Sequence, residues 1–432
     1  MNSVKHSKIR GCLFRFLFIL PLLMACAWYG MTWYTEKSSG TSEPVPSECD
    51  EFTIDLSHAK SIAKARKRIG SMMRSREIPG LSIAVSENGE VIWSQGFGYA
   101  DLKTQQAVCP STIFRIHSIS KPLTASASMR LVQQGKLNPG TDIRKYIPEF
   151  PRKTDTINIL QLATHRSGIR SYRDDSEALE IKRYPNVITS LDQFKEDALQ
   201  FPPGSDFLYS GFGYITLSAV IERASGTPFL TYMQDEIFDH LGMRHTMPAT
   251  MDGGSPGEAR YYDNTTPYST DGQMVISPPN DFSYKWAAGG FVSTPEDLLK
   301  FAHAHLAALN SGFLTENSLD MLFTPATCQL AGLIGWGMGW MIARDLHLRK
   351  VIFHFGAGSG GTSLLVIYPR QKVCIAILTN LGHARLPFND LMFITNQFVS
   401  GIALRIVQLI IILYLVIAGI LMIRKWPLHK KL

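Results

Sequence analysis

Acidic residues are missing from both ends of this 432-residue chain: none precedes Glu36 and none follows Asp390. Charge of either sign is missing from residues 16–34 and from residues 406–423. Each run is close to the ~20 residues that cross a bilayer as a helix. Lys5, Lys8, Arg10 and Arg15 flank the first run, and Arg405, Arg424, Lys425, Lys430 and Lys431 flank the second. Setting these nine positive charges against the formal +7 leaves about −2 for the rest. The basic balance therefore belongs to membrane flanks and excludes a nucleic-acid surface. The positive-inside rule puts both termini in the cytoplasm and the chain between them on the far side. The expected setting is a membrane protein with an extracytoplasmic domain, in a bacterial inner membrane facing the periplasm.

The first run, within a segment of residues 1–35, has two readings. Ala25-Cys26-Ala27 resembles a signal-peptidase site, and Leu23-Met24-Ala25-Cys26 loosely resembles a lipoprotein box with Met24 off-pattern. The apolar run continues past both to Tyr34, which favours an uncleaved anchor. The second run is expected as a transmembrane helix over 401–424.

Cysteine pairs at Cys-x-x-Cys spacing are also absent. Cys12, Cys26, Cys49, Cys109, Cys328 and Cys374 are scattered, which argues against a zinc ribbon or a thioredoxin-like motif. A Cys49–Cys109 bridge is open to a chain outside the cytoplasm, but unpaired and mostly buried thiols are the favoured expectation. His303 and His305, two apart on a helical pattern, face different ways and do not form a metal pair. No internal repeat is visible.

What is present reads as one domain over 57–385, behind a polar linker of residues 36–56. Apolar Ile62, Ala65, Ile69 and Met72 or Met73 recur at helical spacing within 57–76. Two strands, 81–86 and 90–95, flank Asn88-Gly89, a hairpin signal. A helix is expected from Ser118 to about Gln134, with Gly135 as its cap. Further helices are expected over 157–164, 191–199, 214–224 and 298–309, the last opening on Thr294-Pro295-Glu296-Asp297. Residues 251–268 read as a long loop. Strands are expected at 339–343, 351–355, 362–368 and 373–378, and the turns between the last three suggest an antiparallel meander. Strands thus come early and late with helices between. The expected class is α+β, with one antiparallel sheet built from both ends of the domain and a ligand crevice beside the helical middle.

Ser118 opens that middle. Ser-x-x-Lys occurs three times, at Ser57/Lys60, Ser61/Lys64 and Ser118/Lys121. The first two lie in a basic amphipathic stretch, and their lysines read as solvated. Ser118 is embedded in apolar residues, and three residues on a helix face bring a hydroxyl and an amine together. Ser118 reads as nucleophile and Lys121 as its base partner. Tyr209, in Phe207-Leu208-Tyr209-Ser210-Gly211, supplies a phenol that a nearby ammonium would lower enough to shuttle a proton. His354-Phe355-Gly356-Ala357 ends a strand. Gly356 permits close backbone approach there, and the N–H groups of Ala357 and Ser118 are candidate oxyanion donors. Gly253-Gly254-Ser255-Pro256-Gly257 fits the hydrolase elbow G-x-S-x-G. Pro256 lacks the N–H that the elbow needs, so this match is a decoy. Asn264-Thr265-Thr266 is a glycosylation sequon, relevant only in a eukaryotic secretory setting.

Ser118-Ile119-Ser120-Lys121, the Tyr209 loop and His354-Phe355-Gly356, in this order, resemble the three motifs of the serine β-lactamase and penicillin-binding-protein superfamily. Thr164-His165-Arg166-Ser167-Gly168-Ile169 and Lys285-Trp286-Ala287-Ala288-Gly289-Gly290-Phe291 add to the likeness. It is nearest to class C β-lactamases, D-alanyl-D-alanine carboxypeptidases and related esterases, and among these to the mitochondrial serine β-lactamase-like group. The resemblance implies an α+β fold, acylation of Ser118, proton handling by Lys121 and Tyr209, and a substrate strand at His354. It implies neither a metal nor an organic cofactor, and a small-molecule or peptide substrate.

Two departures stand out. Gly211 occupies the place of an Asn that binds a substrate amide in the family. Phe355 replaces the usual Thr or Ser, beside His354 where Lys is common. Both weaken β-lactams and D-Ala-D-Ala termini as substrates and leave acyl transfer intact. The expected function is a membrane-anchored serine hydrolase acting on an ester or peptide. The alternatives are a scaffold, or a sensor that binds without turnover.

Overall fold

The computed structural model describes residues 49–251, 253–264, 272–306, 312–329, 333–345, 347–384 and 386–399. The two uncharged apolar runs lie outside the described residues. Among the described residues no helix is long and apolar enough to cross a membrane.

The chain enters through strand β1 (Thr53–Ile54) and helix α1 (Ala59–Arg76). Ile62, Ala65, Ile69, Met72 and Met73 are buried along one stripe of α1, as their spacing predicts, while Lys60 and Lys64 are exposed. Glu77 closes α1 in the left-handed conformation at φ +54°, its N–H on the Arg74 and Met73 carbonyls. Strands β2 (Gly80–Glu87) and β3 (Glu90–Asp101) meet across Asn88 and Gly89, both at positive φ as a two-residue hairpin of primed type requires. Then follow β4 (Gln106–Ala107), β5 (Phe114–Arg115), a 3₁₀ turn over His117–Ile119, and helix α2 (Ser120–Gln133).

The middle holds α3 (Ile159–Ala163), capped reciprocally by Asn158 and Gln161, and α4 (Gly211–Ser225), capped by Ser210 and ended by Gly226 at φ +73°. The expected helix over 191–199 is instead a single 3₁₀ turn, Leu191–Gln193. The backbone beyond it serves other partners: Lys153 Nζ takes the carbonyls of Lys195 and Asp197, and Arg170 and Arg173 hold the Asp197 carboxylate. Strand β6 (Met247–Pro248), helix α5 (Trp286–Gly289), strand β7 (Phe291–Ser293) and helix α6 (Pro295–His303) follow. Thr294 caps α6 and Pro295 fills its first turn, as expected. The helix stops at His303, short of the expected 309, and residues 307–311 lie outside the described residues.

The three-strand C-terminal meander forms as expected and is extended by the expected strand before it and by two unexpected ones: β8 (Thr327–Gln329), β9 (Ile334–Trp336), β10 (Met341–Arg344), β11 (Lys350–Gly358), β12 (Gly361–Tyr368) and β13 (Val373–Thr379), then helix α7 (Phe388–Asn396). One antiparallel sheet runs β1-β3-β2-β13-β12-β11-β10-β9-β8, with β4 also on β3. The β2–β13 pairing, Leu81 opposite Thr379 through Glu87 opposite Val373, joins the two ends of the domain. Alternation sorts the faces. Val373, Ile375 and Ile377 face a core shared with α1 and α7, whereas Cys374, Ala376 and Leu378 face the larger core built on α2 and α4. An ion pair between Arg68 and Asp390 ties α1 to α7.

Cys49 and Cys109 are joined in a disulfide, contrary to the expectation of unpaired thiols; Cys328 is free and exposed, Cys374 free and buried. The pairing arises from a close approach in the sheet. A side chain at Gly96 would run into the backbone of Val108 and Cys109, so this segment lies directly on β3. Converting both cysteines to serine should lower stability by about 2–4 kcal/mol, since the bridge closes a long loop. Urea unfolding with and without reductant measures this, and identical midpoints for wild type in both conditions would contradict it.

Candidate active site

Ser118 sits where two sheets and a helix converge. Phe114 and Arg115 pair with Ser293 and Val292 on β7. The Ile116 N–H donates to the Phe291 carbonyl at 3.1 Å, and the Ser363 hydroxyl on β12 donates to the Ile116 carbonyl at 2.7 Å. His117 is forced to φ +44°, a left-handed conformation that is costly for a residue with a side chain. Its ring is buried against Gly358 and Gly361, where any Cβ would collide with it. This turn presents Ser118, half-buried, at the N-terminal end of α2.

Lys121 lies one helical turn on and is only 3% exposed. Its Nζ is 3.0 Å from Ser118 Oγ and donates to the Ala288 carbonyl at 2.6 Å. Among the described residues no carboxylate pairs with it. Burial lowers its pKa from 10.5 to about 7. The faces of Tyr209 and Tyr214, with centroids 4.7 and 5.8 Å from Nζ, pull the other way by favouring the ammonium. Helix α5 holds this geometry: the Thr124 hydroxyl on α2 reaches the Ala287 carbonyl at 2.9 Å, beside the Ala288 carbonyl that takes Lys121.

Tyr209 arrives from the segment before α4, with the Lys121 ammonium group 4.7 Å from its ring centroid. Burial raises its pKa, and the neighbouring Ser118 hydroxyl opposes this only in part. The expectation of a phenol that titrates low is thus reversed: Tyr209 stays a neutral phenol, and Lys121 is the group poised near neutrality. The physical reason is that burial penalises both charged forms, phenolate and ammonium alike.

His165 sets the Tyr209 segment. Its backbone, at φ +60°, accepts the Leu208 N–H through its carbonyl, and its Nδ1 accepts the Ser210 N–H at 3.1 Å. Nδ1 is therefore the lone-pair nitrogen and Nε2 carries the proton. The imidazole lies 4.4 Å from the Tyr209 ring, and Trp336 of β9 closes the group at 5.5 Å from Tyr209.

His354 on β11 is 2% exposed, its ring 6.3 Å from Tyr209 and 6.2 Å from Trp336. Its Nδ1 lies 2.6 Å from the Phe355 carbonyl, which can only accept, so Nδ1 is protonated and Nε2 is a lone pair. Burial, aided by the Lys121 charge, lowers its pKa to about 3. His354 is therefore a neutral acceptor. Among the described residues nothing bonds His354 Nε2 or His165 Nε2. Phe355 turns to the opposite face and packs with Phe353 in the α1/α7 core. Gly356 abuts the Ile116 carbonyl, and Ala357, exposed, lies between it and Gly358 on the strand beside the Ser118 turn.

The structure thus brings Ser118, Lys121, Tyr209 and His354 into one locus, with Gly356 and Ala357 along its edge. His165 and Ala288 stand in phrases that carry the resemblance without a role of their own, and nothing in the local sequence marks Trp336 or Tyr172. The other candidates fall elsewhere. His303 bonds Ser86 at 2.7 Å and His305 bonds Ser126 at 2.8 Å, so the two point apart as expected. Among the described residues, the one grouping close enough to share a metal ion is Cys49, Glu51 and Cys109, and its thiols are bound in the disulfide.

Comparison with known proteins bears on the same region. A family profile described as Beta-lactamase matches residues 65–395. The chain is similar to the human serine beta-lactamase-like protein LACTB, mitochondrial, at 30% identity over 72% of this chain and 73% of that one. Among solved structures, it is similar to the octameric penicillin-binding protein homologue from Pyrococcus abyssi, with 25% identity and a TM-score of 0.66, covering 76% of this chain and 74% of that chain. EstCE1, a hydrolase with promiscuous acyltransferase activity, shares the fold at 20% identity and a TM-score of 0.66, covering 80% of this chain and all of that one.

Proposed function

The chain belongs to the β-lactamase family, a fold of serine hydrolases, and from that premise we propose that it hydrolyses an ester or peptide amide through an acyl-enzyme on Ser118. The observation that carries the reading is the 3.0 Å contact between Ser118 Oγ and a buried Lys121 with pKa about 7. Neutral Lys121 takes the Ser118 proton as Oγ attacks the carbonyl carbon. The N–H groups of Ser118 and Ala357 receive the oxyanion. The Tyr209 phenol gives its proton to the leaving group and regains one from the Lys121 ammonium. Water then repeats the sequence on the acyl-enzyme, and the acid departs from Ser118.

Neutral His354 favours a substrate that offers a donor or an apolar group at this place over one that offers a carboxylate. Esters and uncharged amides fit better than a free C-terminal D-peptide. The uncharged runs at 16–34 and 406–423, with their basic flanks, support attachment of the catalytic domain to a membrane. The human relative is named as mitochondrial, which favours a mitochondrial setting, and the flanks equally suit a bacterial inner membrane; carbonate extraction and protease protection of the full chain test attachment and sidedness.

Labelling by a fluorophosphonate probe tests the chemistry. The labelling rate should rise about tenfold per pH unit below the Lys121 pKa and level off above about 7, because only the neutral amine accepts the Ser118 proton. A rate flat from pH 5 to 9 would remove Lys121 as the base. No labelling at any pH would favour the scaffold.

A further inference from the structure

We propose that Tyr172 is the specificity-determining residue for the acyl part of the substrate, standing in the space that a side chain at position 211 would fill. This rests on the acyl-transfer reading of Ser118. A Cβ built on Gly211 would lie 2.8 Å from the Tyr172 hydroxyl oxygen and 3.0–3.1 Å from its ring carbons. Gly211 is two residues past Tyr209, in the first turn of α4, and carries no positive φ that would demand glycine. The reason for glycine here is therefore the phenol. Tyr172 thus lies against the first turn of α4, two residues past Tyr209, near enough for Tyr209 to perturb its titration.

The segment that carries Tyr172 is rigidly held. The Ser210 hydroxyl, capping α4, donates to the Arg170 carbonyl at 2.6 Å. The Arg170 guanidinium is clamped by Asp197 at 2.6 Å and Glu177 at 2.7 Å. The Tyr172 ring packs edge-on against Phe212 at 4.9 Å and Tyr284 at 6.3 Å. Burial and the neighbouring Tyr209 raise its pKa, which keeps it a neutral phenol.

A phenol and a carboxamide read different substrates. A carboxamide at 211 would offer a donor and an acceptor together, matching an acylamino group with its own N–H and C=O. A phenol on a fixed ring offers one hydroxyl, so half of such a group would be desolvated without a partner. The ring also fills the volume that an acylamino substituent would enter. The wall formed by Tyr172 thus selects acyl groups with at most one hydrogen-bonding atom next to the scissile carbonyl, such as simple or hydroxylated acyl esters.

The test compares kcat/KM for p-nitrophenyl esters of short acids with the acylation rate by a fluorescent penicillin, which carries an acylamino side chain. Wild type, Tyr172→Phe, Gly211→Asn and the double variant Tyr172→Ala/Gly211→Asn are used. Tyr172→Phe, which keeps the ring, should lose about tenfold on a hydroxyacyl ester and little on the plain acetate. Gly211→Asn alone should lose activity on every substrate, because its side chain collides with Tyr172. The double variant should raise the penicillin-to-ester ratio at least tenfold. An unchanged ratio in the double variant, with Tyr172→Phe equal to wild type on both esters, overturns the assignment. Fluorophosphonate labelling of wild-type Ser118 separates the two levels: if labelling occurs and the ratios do not move, Tyr172 alone loses its role; if Ser118 is never labelled, the underlying reading falls.

Discussion

Ser118→Ala and Lys121→Met should both silence the enzyme but move its stability differently. Removing the nucleophile should cut turnover of an activated ester by about 10⁴-fold or more. Removing the base should cut it by about 10²–10⁴-fold, because a neutral amine 3.0 Å from Oγ is the group placed to take the proton. Ser118→Ala should leave stability nearly unchanged, since Ser118 is half-buried and lies at a helix entrance. Lys121→Met should raise it. The folded pKa of Lys121, about 7, lies below the ordinary 10.5, so between these values the unfolded chain binds more protons than the folded one. Stability gained from this group therefore rises with pH across 7 to 10.5, and below about 7 the full penalty is present. That penalty is on the order of 5 kcal/mol. Methionine keeps the buried stem but leaves the Ala288 carbonyl without its donor, which gives back about 1–3 kcal/mol. A net gain of about 2–4 kcal/mol is expected at pH 7, shrinking towards pH 10. Thermal melts at pH 6, 8 and 10 measure it. A Lys121→Met protein that melts lower than wild type at every pH would show that the lysine is held by interactions that outweigh its burial.

The parts of this fold that could be read from the chain are those whose physics is local. Asn88-Gly89 names its hairpin because both residues must take positive φ. Thr294-Pro295 names a helix start because the cap and the missing N–H act within one turn. Lys121 follows Ser118 because three residues bring it to the same face. What could not be read is set by distant approach. The Cys49–Cys109 bridge depends on Gly96 admitting another strand's backbone. Residues 191–199 read as helix because their apolar spacing is helical, yet the donors of Lys153, Arg170 and Arg173 claim the backbone and the carboxylate. The expected low titration of Tyr209 rests on a nearby ammonium, and the loss of water around both groups outweighs it. Trp336 comes from β9, paired on both sides near the end of the sheet, and Tyr172 from a loop; neither has a motif, and only packing puts them beside Tyr209 and Gly211.

Gly356→Ala should be among the most damaging single-methyl changes in the molecule. No positive φ holds Gly356, so alanine meets no backbone obstacle there. The obstacle is the neighbour: a Cβ would overlap the Ile116 carbonyl oxygen and the Ser363 hydroxyl. Those two atoms are hydrogen-bonded to each other at 2.7 Å, and the same carbonyl accepts the Ile119 N–H at 3.1 Å inside the Ser118 turn. The methyl must therefore break the Ser363 bond or push β11 off the turn. Overpacking of this kind costs about 1–3 kcal/mol, and the lost bond adds about 1 kcal/mol. The larger effect is on rate. His354 and Ala357 ride on β11 while Ser118 rides on the turn, so separating the two would misplace the proposed oxyanion donors and substrate strand against the proposed nucleophile. A shift of about 1 Å is enough for a loss on the order of 10²-fold. Gly254→Ala, where nothing lies within 4 Å of the added Cβ, is the matched control and should keep full activity and stability. If Gly356→Ala kept ester turnover within about twofold of that control, β11 would not be the strand that completes the site, and the oxyanion donors would have to be sought elsewhere on the rim of Ser118.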